Sequence, residues 1–251
     1  MIQTPTAKPM DLGAILDGSF SLYRRHFAVL VGAVGILTVP LALLAIPFGP
    51  YALFLTGLAG LVTPAIAAIV VGDVATGREP TIGGVWSRLG PLIVPLILTG
   101  ILTWIVVILG TILLIIPGVL FYVWFALSAQ AIAIEDRRYT GAMGRSRELV
   151  SGSWWRVFGI LLLVAILGAI ASQVVESALA AVLGALGVGN GFHGLRTGAS
   201  GNVDLFPFVL SSTIASLLVG PITALAAALL YFDLRLRKEG TDIAAAVESL
   251  G

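Results

Sequence analysis

The sequence predicts an all-α fold: a polytopic membrane helical bundle of six transmembrane helices, with short cytoplasmic amphipathic helices between them. Three observations carry this. First, 58% of the 251 residues are hydrophobic and only 11% are charged, whereas a soluble domain carries about 25% charged residues to cover its surface. Second, charge-free stretches run from Phe27 to Gly72 and from Pro91 to Ile134. Each is too long for one crossing and right for two, because about 20 apolar residues span a hydrocarbon core about 30 Å thick. Third, thirteen of the fourteen Lys and Arg residues fall on one side of the resulting topology.

The first crossing begins at Phe27. Before it, Met1 to His26 is polar or amphipathic and does not read as a cleavable signal, so insertion relies on uncleaved spans. Within that segment Leu12, Leu16, Phe20 and Tyr23 recur at helical spacing, with Asp17, Ser21 and Arg24 opposite them. Phe48-Gly49-Pro50-Tyr51 marks the turn between spans one and two. Thr81 can cap a short helix carrying Ile82, Val85, Trp86 and Leu89 on one side. Ile116-Pro117-Gly118 then divides the second stretch into spans three and four.

Thr140 opens a third amphipathic segment, with Ala142, Met143, Ser146, Leu149 and Val150 on one face and Arg145 and Glu148 on the other. Val157 to Val175 forms span five and Leu205 to Phe232 span six. The glycine-rich segment Gly184 to Asp204 between them carries His193 and Arg196, and reads as flexible rather than as a binding domain. The chain is thus a single integral membrane domain, residues 1–251, of three units at about 11–72, 81–134 and 140–232, with a tail 233–251. Each unit is an amphipathic segment followed by a helical hairpin, and either a true repeat or a coincidence of spacing fits the weak identity between them. The amphipathic segments are too short and too polar to cross, and suit the headgroup layer.

Charge sets the expected orientation. Lys8, Arg24 and Arg25 precede span one. Arg78 and Arg88 lie in the second connection, Arg137, Arg138, Arg145, Arg147 and Arg156 in the fourth, and Arg235, Arg237 and Lys238 in the tail. Basic residues stay inside, so both termini are expected in the cytoplasm. A net charge of +1 offers nucleic acid nothing in particular.

The residue types leave little room for chemistry. There is no cysteine, and the two histidines, His26 and His193, fall on opposite sides of the membrane. No P-loop, serine elbow or HExxH motif occurs. The expectation is no catalytic residue, no metal and no cofactor. Glu176 is a candidate for gating or substrate contact, because acidic residues in membrane helices tend to be functional. Its depth also allows an interfacial carboxylate, since it lies about 30 Å from Trp155 along a helix. Pro40, Pro64, Pro95 and Pro221 suit either ordinary kinked spans or broken-helix transport sites. Ser212, Ser216, Gly220 and Ala224 form a small-residue stripe that favours close helix packing over a polar pore lining. Arg24, Arg25, Arg145, Arg147 and Arg156 are candidate contacts for anionic lipid headgroups, or serve orientation alone.

Several segments together resemble a known family. These are Leu12-Gly13-Ala14-Ile15-Leu16-Asp17-Gly18 with Tyr23-Arg24-Arg25-His26-Phe27, and Ile116-Pro117-Gly118. Further on come Ser146-Arg147-Glu148-Leu149-Val150 leading to Trp154-Trp155-Arg156-Val157, and Tyr231-Phe232-Asp233-Leu234-Arg235. Over nearly its whole length the chain resembles the membrane domain associated with bacterial glycerophosphoryl diester phosphodiesterases, and related stand-alone six-span proteins. The resemblance implies the architecture and a bacterial plasma-membrane location. Longer family members add a soluble phosphodiesterase domain; this chain ends soon after span six, so that activity is not expected. The function expected is a non-catalytic scaffold or accessory module of a membrane- or lipid-linked process. The alternative is a transporter or channel for a small or lipid-like solute. The partners expected are membrane lipids and another membrane or cytoplasmic protein, not nucleic acid.

Overall fold

A computed structural model describes residues 10–45, 52–186 and 205–248. His193, Arg196, Lys8 and the turn Phe48 to Tyr51 lie outside the described residues. Among those described, every regular element is helical: α1 (Leu12–Arg25), α2 (Phe27–Ala45), α3 (Ala52–Ala75), α4 (Ile82–Leu89), α5 (Ile93–Leu113), α6 (Ile115–Phe125), α7 (Ser128–Glu135), α8 (Thr140–Val150), α9 (Trp154–Ala185) and α10 (Leu205–Glu248). A 3-10 turn, Gly90–Leu92, joins α4 to α5. Six helical segments are long and apolar enough to cross a membrane.

The helix starts follow from local chemistry. The Asp11 carboxylate accepts from the Ala14 amide at 2.7 Å and caps α1, and Thr81 Oγ1 accepts from the Gly84 amide at 3.1 Å and caps α4; each meets an otherwise orphaned N–H. Pro117 does not form the turn of the second hairpin. The chain breaks at Leu114, and Pro117 sits in the first turn of α6, where its missing N–H costs nothing. A Cβ on Gly118 would overlap the Thr111 side chain, so glycine is what lets α6 close onto α5.

α3 is the axis of the bundle. Of its spanning window Gly57–Ala75, 61% is buried, against 22% for both Ile82–Leu113 and Trp154–Ala185, which therefore face lipid. α3 packs against α2, α5, α7 and α10. α10 is longer than one crossing: at about 1.5 Å per residue its 44 residues run about 66 Å, so most of the expected tail 233–251 continues span six as helix. α9 likewise extends span five to Ala185.

Each short amphipathic helix packs on the hairpin that precedes it. α4 lies on α2 and α3, α8 on α6 and α7, and α1 closes the circle on α10. In α1 the buried residues are Ile15, Ser19 and Tyr23, while Leu12 and Phe20 point outward. The apolar stripe read from the sequence is therefore split: Leu16 and Tyr23 pack on the core while Leu12 and Phe20 face outward. Ser146 on the apolar face of α8 is fully buried and donates to the Trp124 carbonyl in the middle of span four.

Candidate functional site

Short side chains at one level of several helices leave a space that no side chain fills. α3 contributes Gly57, Gly60 and Pro64, α9 contributes Gly168, and α10 contributes Ser212, Ser216, Gly220 and Ala224. Between them, α2 and α6–α7 lies a cavity of about 690 Å³. A Cβ on Gly57 or Gly60 would meet nothing within 4 Å, and one on Gly220 would only just reach Thr63 Cγ2, at 4.0 Å. The close α9–α10 approach lies at Gly168, where a Cβ would come within 2.7 Å of Thr223 Cγ2.

The cavity wall has an unusual polarity. No charged residue lines it. Thr38, Thr63, Thr213 and Thr223 donate to carbonyls of their own helices, at Val34 (2.9 Å), Ala59 (3.0 Å), Val209 (2.5 Å) and Gly220 (2.9 Å). With its donor spent, each hydroxyl keeps acceptor lone pairs. Pro64 lacks the N–H that would meet the Gly60 carbonyl, which adds an acceptor on the same wall. Against these stands Gln130 of α7: its side chain is 0% exposed, and neither amide atom has a hydrogen-bond partner in the protein. An unmet buried amide costs about 1–3 kcal/mol.

Gln130 is placed by a break in span four. α6 ends at Phe125 and α7 begins at Ser128. Ser146 of α8 holds the break, accepting from the Leu127 amide at 3.1 Å and donating to the Trp124 carbonyl at 2.7 Å. Ser128 Oγ donates to the Phe125 carbonyl at 2.8 Å. The break thus sets Gln130 in the first turn of a new helix at the cavity. A second chamber of about 150 Å³ shares Gly60, Pro64, Tyr122 and Ala126 with the first. It is lined by Thr99 and Thr103, whose hydroxyls are also without partners.

Beyond the cavity, on the arginine-rich side, each return span carries a buried or largely buried carboxylate where its apolar stretch stops. Asp73 at the end of α3 is gripped by both guanidinium nitrogens of Arg88 from α4, and Arg78 Nε lies 3.2 Å away. Glu135 at the end of α7 accepts from Arg145 of α8 at 2.9 and 3.0 Å and from the Tyr231 hydroxyl at 2.5 Å. Asp233 of α10 accepts from Arg156 (2.7 Å), Arg237 (2.9 Å) and the Met10 amide (2.7 Å). Burial works against the charge of Arg145, but Glu135 and Glu148 outweigh it and hold its pKa above the ordinary arginine value. At the α1–α2 junction, burial pushes the His26 imidazole below its ordinary pKa; Glu79 opposes the shift and Arg25 adds to it.

The residues singled out from the sequence are dispersed. Glu176 is partly exposed on α9, one turn beyond Ser172, and does not line the cavity. Ser212, Ser216, Gly220 and Ala224 border this space, Ser216 exposed into it and Ala224 buried in the core beside it. The helix that carries them packs on both α3 and α9, with the tightest approach at Gly168. Among the candidate headgroup arginines, Arg145 and Arg156 form ion pairs with Glu135 and Asp233. Arg25 lies 3.8 Å from Glu79. Arg24 and Arg147 stack over Phe20 and Trp124, at 5.9 and 4.7 Å from the ring centroids.

Sequence reasoning passed over Gln130, Ser146 and the three carboxylates. Gln130 is the only amide side chain in the charge-free stretch 91–134, which was a usable signal. Among the described residues no group of three His, Asp or Glu is placed to hold a metal ion. Comparison with curated proteins and with solved structures finds no match. A family model described as a domain of unknown function (DUF7847) matches residues 25–234, from the end of α1 through all six spans to the Asp233 carboxylate. The chain belongs to that family.

Proposed function

We propose that this protein is a non-catalytic accessory module of a membrane- or lipid-linked process, and that its working site is the cavity inside the bundle, which receives a lipid-like or small apolar solute from the bilayer. The cavity is the observation that carries this reading. A wall of glycines, alanines and hydroxyls around about 690 Å³ has the size of a small-molecule site and its mostly apolar character with a few polar groups. The resemblance to membrane domains associated with glycerophosphoryl diester phosphodiesterases is in keeping with a lipid-linked setting. The thirteen-to-one distribution of basic residues supports a plasma-membrane protein with both termini in the cytoplasm. The exposed Arg24 and Arg147 are placed to meet anionic headgroups there.

Native mass spectrometry of the protein extracted in mild detergent tests the reading. A discrete adduct is expected on the wild type and is expected to be lost in Gly220→Leu, whose side chain fills the cavity. A bare protein mass, or the same adducts on both, would return the reading to a scaffold.

A carrier or channel is the second reading. It is favoured by the interruption of span four beside the cavity, since broken helices accompany substrate sites in transporters. Solute flux in reconstituted vesicles separates the two, and flux abolished by Glu176→Ala would favour transport.

A further inference from the structure

We infer that Glu176 and the large cavity form one site, and that its ligand is a single-chain amphiphile with a cationic head. The chain enters the cavity and the head pairs with Glu176 at its rim. This rests on the reading that the cavity takes a solute from the membrane.

The register of α9 against α10 sets the level of the carboxylate. A Cβ on Gly168 would come within 2.7 Å of Thr223 Cγ2 and 4.0 Å of Val219 Cγ1, so Gly168 lies level with those two residues. The Arg156–Asp233 pair, back along α9 and forward along α10, gives the same antiparallel register. α9 continues unbroken to Ala185, and Glu176 lies about 12 Å beyond Gly168 along its axis. It therefore stands level with Ser211 to Ala215, the turn of α10 whose Ser212 and Thr213 line the cavity. Its direction follows from the same helix. Leu161, Ala165, Gly168 and Ser172 line the cavity at helical spacing, and Glu176, one turn on, keeps to that stripe. Gln173, Val174 and Ser177 turn away and are exposed, whereas Glu176 is half-buried.

The charge of Glu176 is unmatched. Asp73, Glu135 and Asp233 are each held by arginine, but Glu176 has no hydrogen bond or ion pair among the described residues. It is also the only charged residue among those described at that end of the bundle. A carboxylate beside an apolar space attracts a cation more strongly than it would in open water. No charged side chain lines the cavity itself, so a charge drawn deeper would lose its hydration without compensation. The ligand's charge thus stays at the level of Glu176, and the part within is apolar. About 690 Å³ is the size of a small-molecule site, which suits one chain.

Photolabelling of the full-length protein in phosphatidylcholine nanodiscs tests the assignment. The probe is dodecyltrimethylammonium carrying a diazirine near the end of its chain. The same chain ending in a sulfate, and in a neutral hydroxyl, serves as comparator. Label is read by peptide mass spectrometry at cavity residues Gly220 and Thr223, relative to lipid-facing Leu109 and Ile112, which corrects for partition into the bilayer. The ammonium probe is expected to label the cavity of the wild type in preference to both comparators. Glu176→Gln is expected to lower that labelling about three- to fivefold, the worth of a partly exposed ion pair. Labelling by the hydroxyl probe is expected to stay unchanged, which shows that the variant keeps its cavity. Glu176→Lys is expected to turn the preference toward the sulfate.

Equal cavity labelling by all three probes, or an ammonium preference that survives both substitutions, would overturn the assignment while leaving an occupied cavity standing. Label confined to Leu109 and Ile112 with every probe would overturn the assignment and the cavity reading together.

Discussion

Gln130 costs the protein an unmet buried amide, so Gln130→Leu is expected to be stabilising. The gain should be about 1–2 kcal/mol, read as a raised melting temperature in detergent. Asp233 behaves in the opposite way. Its buried carboxylate joins α9, α10 and the chain before α1, and Asp233→Ala removes the acceptor that Arg156, Arg237 and the Met10 amide share. A loss of about 1–3 kcal/mol is expected, because both arginines keep the Met10 carbonyl. His26 adds a pH dependence. Because its folded pKa is lowered, it contributes nothing to stability well above pH 6.5. As the pH falls through about 6.5, the unfolded chain takes up the proton first and stability drops. His26→Gln is expected to flatten that part of a melting curve series between pH 8 and pH 5. At this scale the sequence was only half legible. Asp73, Glu135 and Asp233 were visible as the charges that end the apolar stretches, but a boundary charge says nothing of whether an arginine folds back onto it. Arg145 and Arg156 looked like surface anchors for the same reason: their partners come from other units of the chain.

Among the elements, span four is the most informative. Ser146 carries the hydrogen bonds that make its interruption tolerable in an apolar setting. Ser146→Ala is expected to cost about 1–3 kcal/mol, read as a lowered melting temperature in detergent. The interruption has no proline or glycine to announce it; it reads Phe125-Ala126-Leu127-Ser128. The turn before it was announced by Pro117-Gly118, yet the chain bends earlier, at Leu114, because proline is better placed in a first turn than in a bend. The six spans, the three amphipathic helices and the Thr81 cap were legible, because hydrophobic length and capping chemistry are local; Asp11 as the cap of α1 was passed over. The space beside the α10 stripe was not legible, because it depends on Gly57 and Gly60 of α3 lying across from it, a tertiary fact.

The whole molecule is three hairpins in which each amphipathic helix leans on the hairpin before it and each return span carries a carboxylate held by arginine where its apolar stretch stops. Salt bridges on one side tie the helices together, while small residues within the spans leave a space between them. In the proposed orientation the tied side faces the cytoplasm, and a reporter fused after Gly251 is expected to be active only there. The most direct measurement of the central claim is a density map of the wild-type protein in lipid nanodiscs. An elongated non-protein feature is expected between α3, α9 and α10, beside Gly57, Gly60 and Ser216. Helices closed upon one another, with Ser216 and Gly220 packed against α3 and no space between, would contradict it.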